Sequence, residues 1–246
     1  MTLDIDYLHR LHTAANLGYG GISVEPVGSD RLVALITLYA TLIELTHGVV
    51  VLTRARSFSS LPAVLRSLLE AHVEFLNLAR DPEYVKVLDL LDQRQLLAVL
   101  RASRQWLPAA EGDSPHDAEL AIERLECGVR ATRAEGLTAP DIKERFARAD
   151  LDALYATMYI GLCSYVHVNK SALALGHHVR DGERLEIVVH DEPSPEIMRA
   201  YLTLSASVLR ESSVVIYHIL DAALPGELSR LIEEVSLRPL AAFGRA

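Results

Sequence analysis

The segment RSLLEAH, Arg66 to His72, holds side chains that could do chemistry together. A guanidinium can stabilise developing negative charge, and an imidazole can move a proton near neutral pH. On a helix with about 100° per residue, Arg66 and His72 lie about 120° apart. His72 falls within the apolar stripe of that helix, whereas Glu70 shares the polar face with Arg66. We therefore predict that His72 is a core residue and that Arg66 and Glu70 form the candidate site.

A second polar group follows at the end of a later apolar helix. Ser164 and His167 are spaced i,i+3, so they share one helix face. His167 there is a candidate general base or proton donor, or alternatively a residue favoured at a helix C-terminus by the helix dipole. Tyr159 and Asn169, on the same segment, complete the set of predicted binding residues together with Ser164 and His72.

Glu44 and His47 form one Glu-x-x-His unit, the spacing found in carboxylate-bridged metal bundles. Such bundles need this unit twice and two further glutamates, and the sequence holds one copy. We therefore predict no metal site and no cofactor, and we keep Glu44 and His47 as the residues from which a metal site would be built.

The composition limits the class of protein. The chain has 246 residues, a net charge of −9 and 50% hydrophobic residues, which is typical of a globular protein and disfavours a broad electrostatic grip on nucleic acid. Its two cysteines, Cys127 and Cys163, lack metal-type spacing, and the first residues lack the basic and apolar runs of a signal peptide. These features favour a cytoplasmic protein.

Helical periodicity covers nearly the whole sequence. It predicts an all-α, multi-helix bundle with one small β-hairpin near residues 178–190, built around a turn at 180–183. We expect a single domain over residues 1–246, with a core at about 30–175 and C-terminal helices at 193–237 packed on it. The predicted helices cover residues 3–16, 30–56, 60–80, 82–106, 115–134, 140–149, 151–168, 193–223 and 226–237.

Two of these predicted helices are unusually apolar. The stretch from Leu32 to Leu52 is long enough to cross a bilayer, but Glu44 lies inside it, and a carboxylate in the membrane interior is costly. We therefore interpret it as a buried central helix and expect no membrane partner. The helix over 151–168 is apolar almost all round, so we expect it to be central as well.

Residues 65–95 and 154–173 carry a resemblance to a known family. LRSLLEAHVEFLNLARDPEYVKVLDLLDQRQ and LYATMYIGLCSYVHVNKSAL resemble the helical family called domain of unknown function 5677 over about residues 30–175. Arg66 and Glu70 match its Arg-x-x-x-Glu helix, and Ser164 and His167 match its closing serine and histidine.

In outline that family is similar to HEPN-type bundles, which often cleave RNA in toxin and phage-defence systems and usually act as dimers. The resemblance implies a metal-independent ribonuclease in which Arg66 stabilises phosphorane charge, Glu70 orients Arg66, and His167 or His72 moves the 2′-OH proton. The other hypothesis is a non-catalytic module that binds a ligand or a protein partner through the same residues. The acidic charge favours binding, the long apolar helices favour a homodimer, and RNA is a partner only under the ribonuclease hypothesis.

Overall fold

A computed structural model describes residues 4–22, 29–106, 115–167, 170, 174, 177–181, 184–187 and 192–234. The predicted binding residue Asn169 lies outside these residues. The helices are α1 Ile5–Tyr19, α2 Asp30–Arg54, α3 Leu61–Arg80, α4 Tyr84–Trp106, α5 Pro115–Ala134, α6 Ile142–Arg148, α7 Asp152–Leu154, α8 Ile160–Val166, α9 Pro195–Ile219 and α10 Gly226–Glu234.

The predicted all-α bundle with one hairpin is confirmed. A 3-10 turn, Phe58–Ser60, leads into α3, and a π-helical turn, Tyr155–Tyr159, joins α7 to α8. Strands β1 (His178–Asp181) and β2 (Arg184–Ile187) pair antiparallel, with Asp181 opposite Arg184. The connection between them is shorter than the predicted turn, since β1 extends through Asp181.

The chain divides into two compact units, one made of Met1–Arg80 with Ile142–Ala246, and the other of Asp81–Asp141. In the first unit, α2 contacts α1, α3 and α9, and α3 also contacts α6, α8 and α9. The shared core is apolar and includes Leu8, Leu35, Tyr39, Leu65, Leu68, Val208 and Leu209. That the two units fold as one domain stays a prediction.

Helix α2 begins as the sequence predicts and is less central than expected. The Oγ of Ser29 accepts the backbone N–H of Leu32, which caps the helix. By length and composition α2 is apolar enough to span a membrane, and 39% of its most apolar stretch is buried within the protein. Val33 and Val51 are exposed. The prediction of a buried helix therefore holds for one face of α2.

The expectation that the helix at 151–168 is central is wrong. Among its residues, Leu154, Tyr159 and Leu162 are buried, but Ile160 is 50% exposed and Val166 is 37% exposed. The segment therefore contacts α3 with one face and exposes another.

In the second unit, α4 contacts α5. Arg101 reaches Glu126, and Arg104 reaches Glu119, so the two helices run antiparallel. A Cβ at Gly128 of α5 would lie 3.0 Å from the side-chain oxygen of Gln93 on α4.

Candidate functional site

The polar face of α3 faces other helices of its own unit. Arg66, Glu70, Glu74 and Asn77 follow one another at intervals of three and four residues, which places them along one side of the helix. Contacts of α3 with α6 and α8 cover this side, while α2 and α9 cover the apolar stripe. Helix α3 is therefore contacted on two faces, and its polar residues find partners on neighbouring elements.

Arg66, Glu70 and Tyr159 form the candidate site. Arg66 Nε donates to Glu70 Oε1 over 2.9 Å, and the Tyr159 hydroxyl donates to the same oxygen over 2.5 Å. The guanidinium carbon of Arg66 also lies 5.8 Å from the centroid of the Tyr159 ring, within cation–π range. The side chains of Arg66 and Glu70 are 26% and 35% exposed, so solvent reaches the ion pair.

The π-helical turn positions Tyr159. Its backbone is closed by the N–H of Ile160 donating to the carbonyl of Tyr155, five residues earlier. The rings of Tyr155 and Tyr159 stack with centroids 5.5 Å apart, and Phe146 of α6 lies 4.9 Å from Tyr159. This aromatic cluster holds Tyr159 against α3. Turns of this type are frequent at functional sites.

The electrostatics of the site fix its protonation. The neighbouring Tyr159 side chain and the charge of Glu70 raise the pKa of Arg66. Burial, followed by the hydrogen bond to Glu70, raises the pKa of Tyr159. At neutral pH the site therefore presents a permanent cation and a neutral phenol. Neither Arg66 nor Tyr159 is suited to take up a proton as a general base.

Further along the same face, α3 is attached to α6. Glu74 forms an ion pair with Arg145, and both side chains are largely buried. Asn77 donates through Nδ2 to the carbonyl of Arg145 over 3.0 Å. These contacts fix the angle at which α6 and the aromatic cluster meet α3, so they support the candidate site without belonging to its exposed part.

His72 lies on the opposite face of α3, as the helical wheel predicts. Its side chain is fully buried, Nδ1 shares a hydrogen bond of 2.9 Å with Ser212 Oγ, and Nε2 lies 3.5 Å from Glu211 Oε2. Both partners belong to α9. The sequence does not indicate this pairing, because it depends on how α9 packs against α3. The predicted role of His72 in ligand binding stays a prediction, and its burial favours a structural role.

Helix α8 carries the second predicted group. Ser164 Oγ donates to the carbonyl of Ile160 over 3.3 Å, so its hydroxyl is bonded within its own helix. His167 is exposed at the C-terminal end of α8, where its backbone N–H donates to the carbonyl of Cys163. Helices α3 and α8 are in contact, so Arg66 and His167 belong to neighbouring helices.

The candidate metal ligands on α2 lie apart from this site. Glu44 and His47 are exposed. The His47 ring stacks on His12 of α1 with centroids 4.8 Å apart. Within the described part of the chain, no group of three histidine, cysteine, aspartate or glutamate side chains is arranged to hold a metal ion.

A family model matches residues 32–184, which is more than half of the chain and includes Arg66, Glu70, Tyr159, Ser164 and His167. Its description is "Family of unknown function (DUF5677)". The chain belongs to this family. No curated protein and no solved structure matches the chain significantly. The resemblance predicted from Arg66, Glu70, Ser164 and His167 is thereby confirmed at the level of the family, and the family brings no activity with it.

Proposed function

We propose that this member of the family is a helical binding module, and that Arg66 is the anchor for a protein partner presenting an acidic side chain. The observation that carries the proposal is the fixed, partly exposed guanidinium of Arg66, held between Glu70 and Tyr159. A planar cation restrained in this way loses little conformational freedom on binding a carboxylate. Arginine and tyrosine are also enriched among residues that dominate binding energy at interfaces.

The chemistry of the site supports binding over catalysis. Arg66 and Tyr159 keep their protons at neutral pH, and Glu70 Oε1 already accepts two hydrogen bonds. Proton transfer in a cleavage reaction needs a group that gains and loses a proton near the working pH. His72 of the original motif is buried on the other face of α3, so it does not serve the same surface as Arg66.

A second candidate function is a metal-independent ribonuclease acting in a toxin or phage-defence system. The contact between α3 and α8, together with the exposure of His167, favours it. In this reaction Arg66 would stabilise charge on the phosphorane, Glu70 would hold Arg66, and His167 would accept the 2′-OH proton.

RNA cleavage in the presence of EDTA separates the two functions. The purified chain is incubated with a labelled single-stranded RNA, beside Arg66→Ala and His167→Ala. The binding module predicts no cleavage by folded wild-type protein. Cleavage that both substitutions abolish, with circular dichroism spectra unchanged, would establish the ribonuclease and overturn the binding proposal.

The binding proposal itself needs a partner and a matched control. Partners are captured from lysate on immobilised wild-type chain, identified, purified and titrated by calorimetry. Arg66→Gln should weaken binding of the true partner by roughly tenfold or more, as expected for loss of a charged hydrogen bond. Arg230→Gln is the control, because Arg230 is another helical arginine paired with a glutamate of its own helix. Equal loss in both variants would contradict a specific anchor at Arg66.

The homodimer expected from the apolar helices is a further proposal. It is supported by α2, on which the exposed residues Val33 and Val51 lie eighteen residues apart and therefore on the same face. Size-exclusion chromatography with light scattering should give twice the mass of the chain, and a mass of one chain at micromolar concentration would contradict the dimer.

A further inference from the structure

A cavity between α4 and α5 is lined by four arginines. Arg94 and Arg101 come from α4, and Arg130 and Arg133 come from α5. The cavity has a volume of about 390 Å³, within the range of sites for small organic ligands. It lies wholly within the unit Asp81–Asp141 and shares no residue with the Arg66 site, so it stands independently of the function proposed above.

Helical spacing explains why the arginines converge. Arg94 and Arg101 are seven residues apart, which places them on one face of α4 two turns from each other. Arg130 and Arg133 are three residues apart and share a face of α5. Because α4 and α5 are antiparallel and in contact, these two faces border the same groove.

The charge within the cavity is only partly balanced. Arg101 donates to Glu126 Oε1 over 2.6 Å, and Arg130 lies 3.5 Å from Glu126 Oε2. The hydrogen bond from Arg101 lowers the pKa of Glu126, so this residue is a carboxylate at neutral pH. Arg94 and Arg133 form no ion pair with any residue in the described part of the chain. One carboxylate therefore faces four guanidinium groups, in a chain whose net charge is −9.

The floor of the cavity is apolar. Leu97 and Val129 line it and are each 8% exposed. A site with guanidinium groups around an apolar floor fits a ligand that has both an anionic group and an apolar or planar part. Arginine forks bind phosphate oxygens in pairs, and their planar groups stack on flat rings.

We propose that the α4–α5 cavity is a binding site for a small organic phosphate of nucleotide size. Arg94 and Arg133 bind the phosphate, while the apolar floor contacts the organic part. Glu126 holds Arg101 and Arg130 in place when the ligand is absent and repels the phosphate when it arrives. This arrangement makes two predictions of opposite sign: removing the two free arginines weakens binding, whereas neutralising Glu126 strengthens it.

Isothermal titration calorimetry of the full-length chain with ADP and with inorganic pyrophosphate tests the site. We expect saturable binding of ADP, tighter than that of pyrophosphate because ADP also covers the apolar floor. The double variant Arg94→Gln/Arg133→Gln should bind ADP at least tenfold more weakly, and Glu126→Gln should bind it several-fold more tightly. The matched control is Arg124→Gln, an exposed arginine of α5 that does not line the cavity.

Each outcome decides the proposal. Absence of saturable ADP binding at millimolar concentration overturns it, as does an equal loss of affinity in Arg124→Gln and in the double variant. If pyrophosphate binds as tightly as ADP, the apolar floor does not contact the ligand, and the proposal of a site for an organic phosphate is wrong. A single-stranded RNA oligonucleotide could bind more tightly than ADP and lose that binding in the double variant. This result would overturn the small-molecule site and identify a nucleic-acid-binding surface instead. Circular dichroism of each variant confirms folding, which we expect because the substituted side chains are at the surface.

Discussion

At the scale of single residues, Glu70 joins α3 to the π-helical turn that precedes α8. One of its carboxylate oxygens accepts a hydrogen bond from the Arg66 cation and another from the neutral hydroxyl of Tyr159. The pair Arg66–Glu70 could be predicted from its i,i+4 spacing, because such side chains always lie side by side on a helix. The contact of Glu70 with Tyr159 could not be predicted in this way, because the two residues are 89 positions apart in the sequence. The position of Tyr159 depends on the π turn and on how that turn packs against α3.

Removing the Tyr159 hydroxyl tests this contact. Tyr159→Phe keeps the ring in the aromatic cluster and deletes the donor to Glu70. We expect a loss of about 1 kcal/mol in the free energy of unfolding, the usual contribution of one hydrogen bond. Tyr155→Phe is the control, because Tyr155 stacks in the same cluster through its ring. Urea denaturation of both variants measures the difference, and equal stabilities would contradict the role of the Tyr159 hydroxyl.

His12 gives the protein a defined pH dependence. It is buried in α1, and burial, together with the neighbouring His47 and His9, lowers the pKa of His12 from 6.5 to about 4. Between these two pH values the unfolded chain binds more protons than the folded chain. Stability therefore falls as the pH falls from 6.5 to 4, with a slope of at most about 1.4 kcal/mol per pH unit from this residue.

The variant His12→Phe isolates that effect, because it keeps an aromatic ring against His47 and cannot titrate. Chemical denaturation from pH 7.5 to pH 4 should show the wild type losing stability relative to the variant below pH 6.5, with a constant difference above pH 7. Parallel curves over the whole range would mean that His12 takes up its proton without cost in the folded state.

At the scale of elements, the helices were predictable because their signals are local. Apolar periodicity places the helix ends within a few residues of those observed. The segment at 151–168 was less predictable. Its near-continuous apolar sequence indicated a central helix, yet the structure interrupts it with a π turn and exposes Ile160. Apolar content alone does not tell which helix the rest of the chain covers.

Gly18 and Gly161 both lie in helices, but a side chain at Gly18 would be crowded and one at Gly161 would not. Alanine substitutions at the two positions therefore measure packing and helix propensity separately. A Cβ at Gly18 of α1 would lie 2.7 Å from both the Pro225 ring and the Tyr217 hydroxyl, whereas a Cβ at Gly161 of α8 meets nothing within 4 Å. Gly18→Ala should therefore destabilise the protein by about 1 to 3 kcal/mol through overpacking. Gly161→Ala should stabilise it by about 0.5 to 1 kcal/mol, because alanine is the better helix former. Thermal unfolding of both variants gives the two signs, and stabilisation by Gly18→Ala would show that α1 and the segment before α10 do not approach so closely.

At the scale of the whole molecule, the region matched by the family model does not coincide with either of the two compact units. The family model extends over residues 32–184, so it includes all of Asp81–Asp141 and only part of the other unit. The matched region therefore includes the α4–α5 hairpin. The sequence predicted a single domain, because neither a linker composition nor a repeat marks a boundary near Asp81 or Asp141.

Replacing residues 82–140 by a short glycine–serine linker tests that prediction. Arg80 donates to the carbonyl of Arg148, and Asn77 donates to that of Arg145, so the end of α3 and helix α6 are held together within the first unit. A short flexible linker can then join them. The shortened chain keeps the core formed by α1, α2, α3 and α9, and we expect one cooperative thermal transition with near-ultraviolet circular dichroism typical of packed tyrosines.

The isolated segment 81–141 should behave differently, because two helices in about 60 residues bury too little apolar surface to fold independently. It should be largely unfolded in water, while the shortened chain retains the Arg66–Glu70–Tyr159 contact and its sensitivity to Tyr159→Phe. A shortened chain without a cooperative transition would mean that the first unit needs α4 and α5 in order to fold. The single domain predicted from the sequence would then be correct, and the α4–α5 cavity would be part of the same cooperative unit as Arg66.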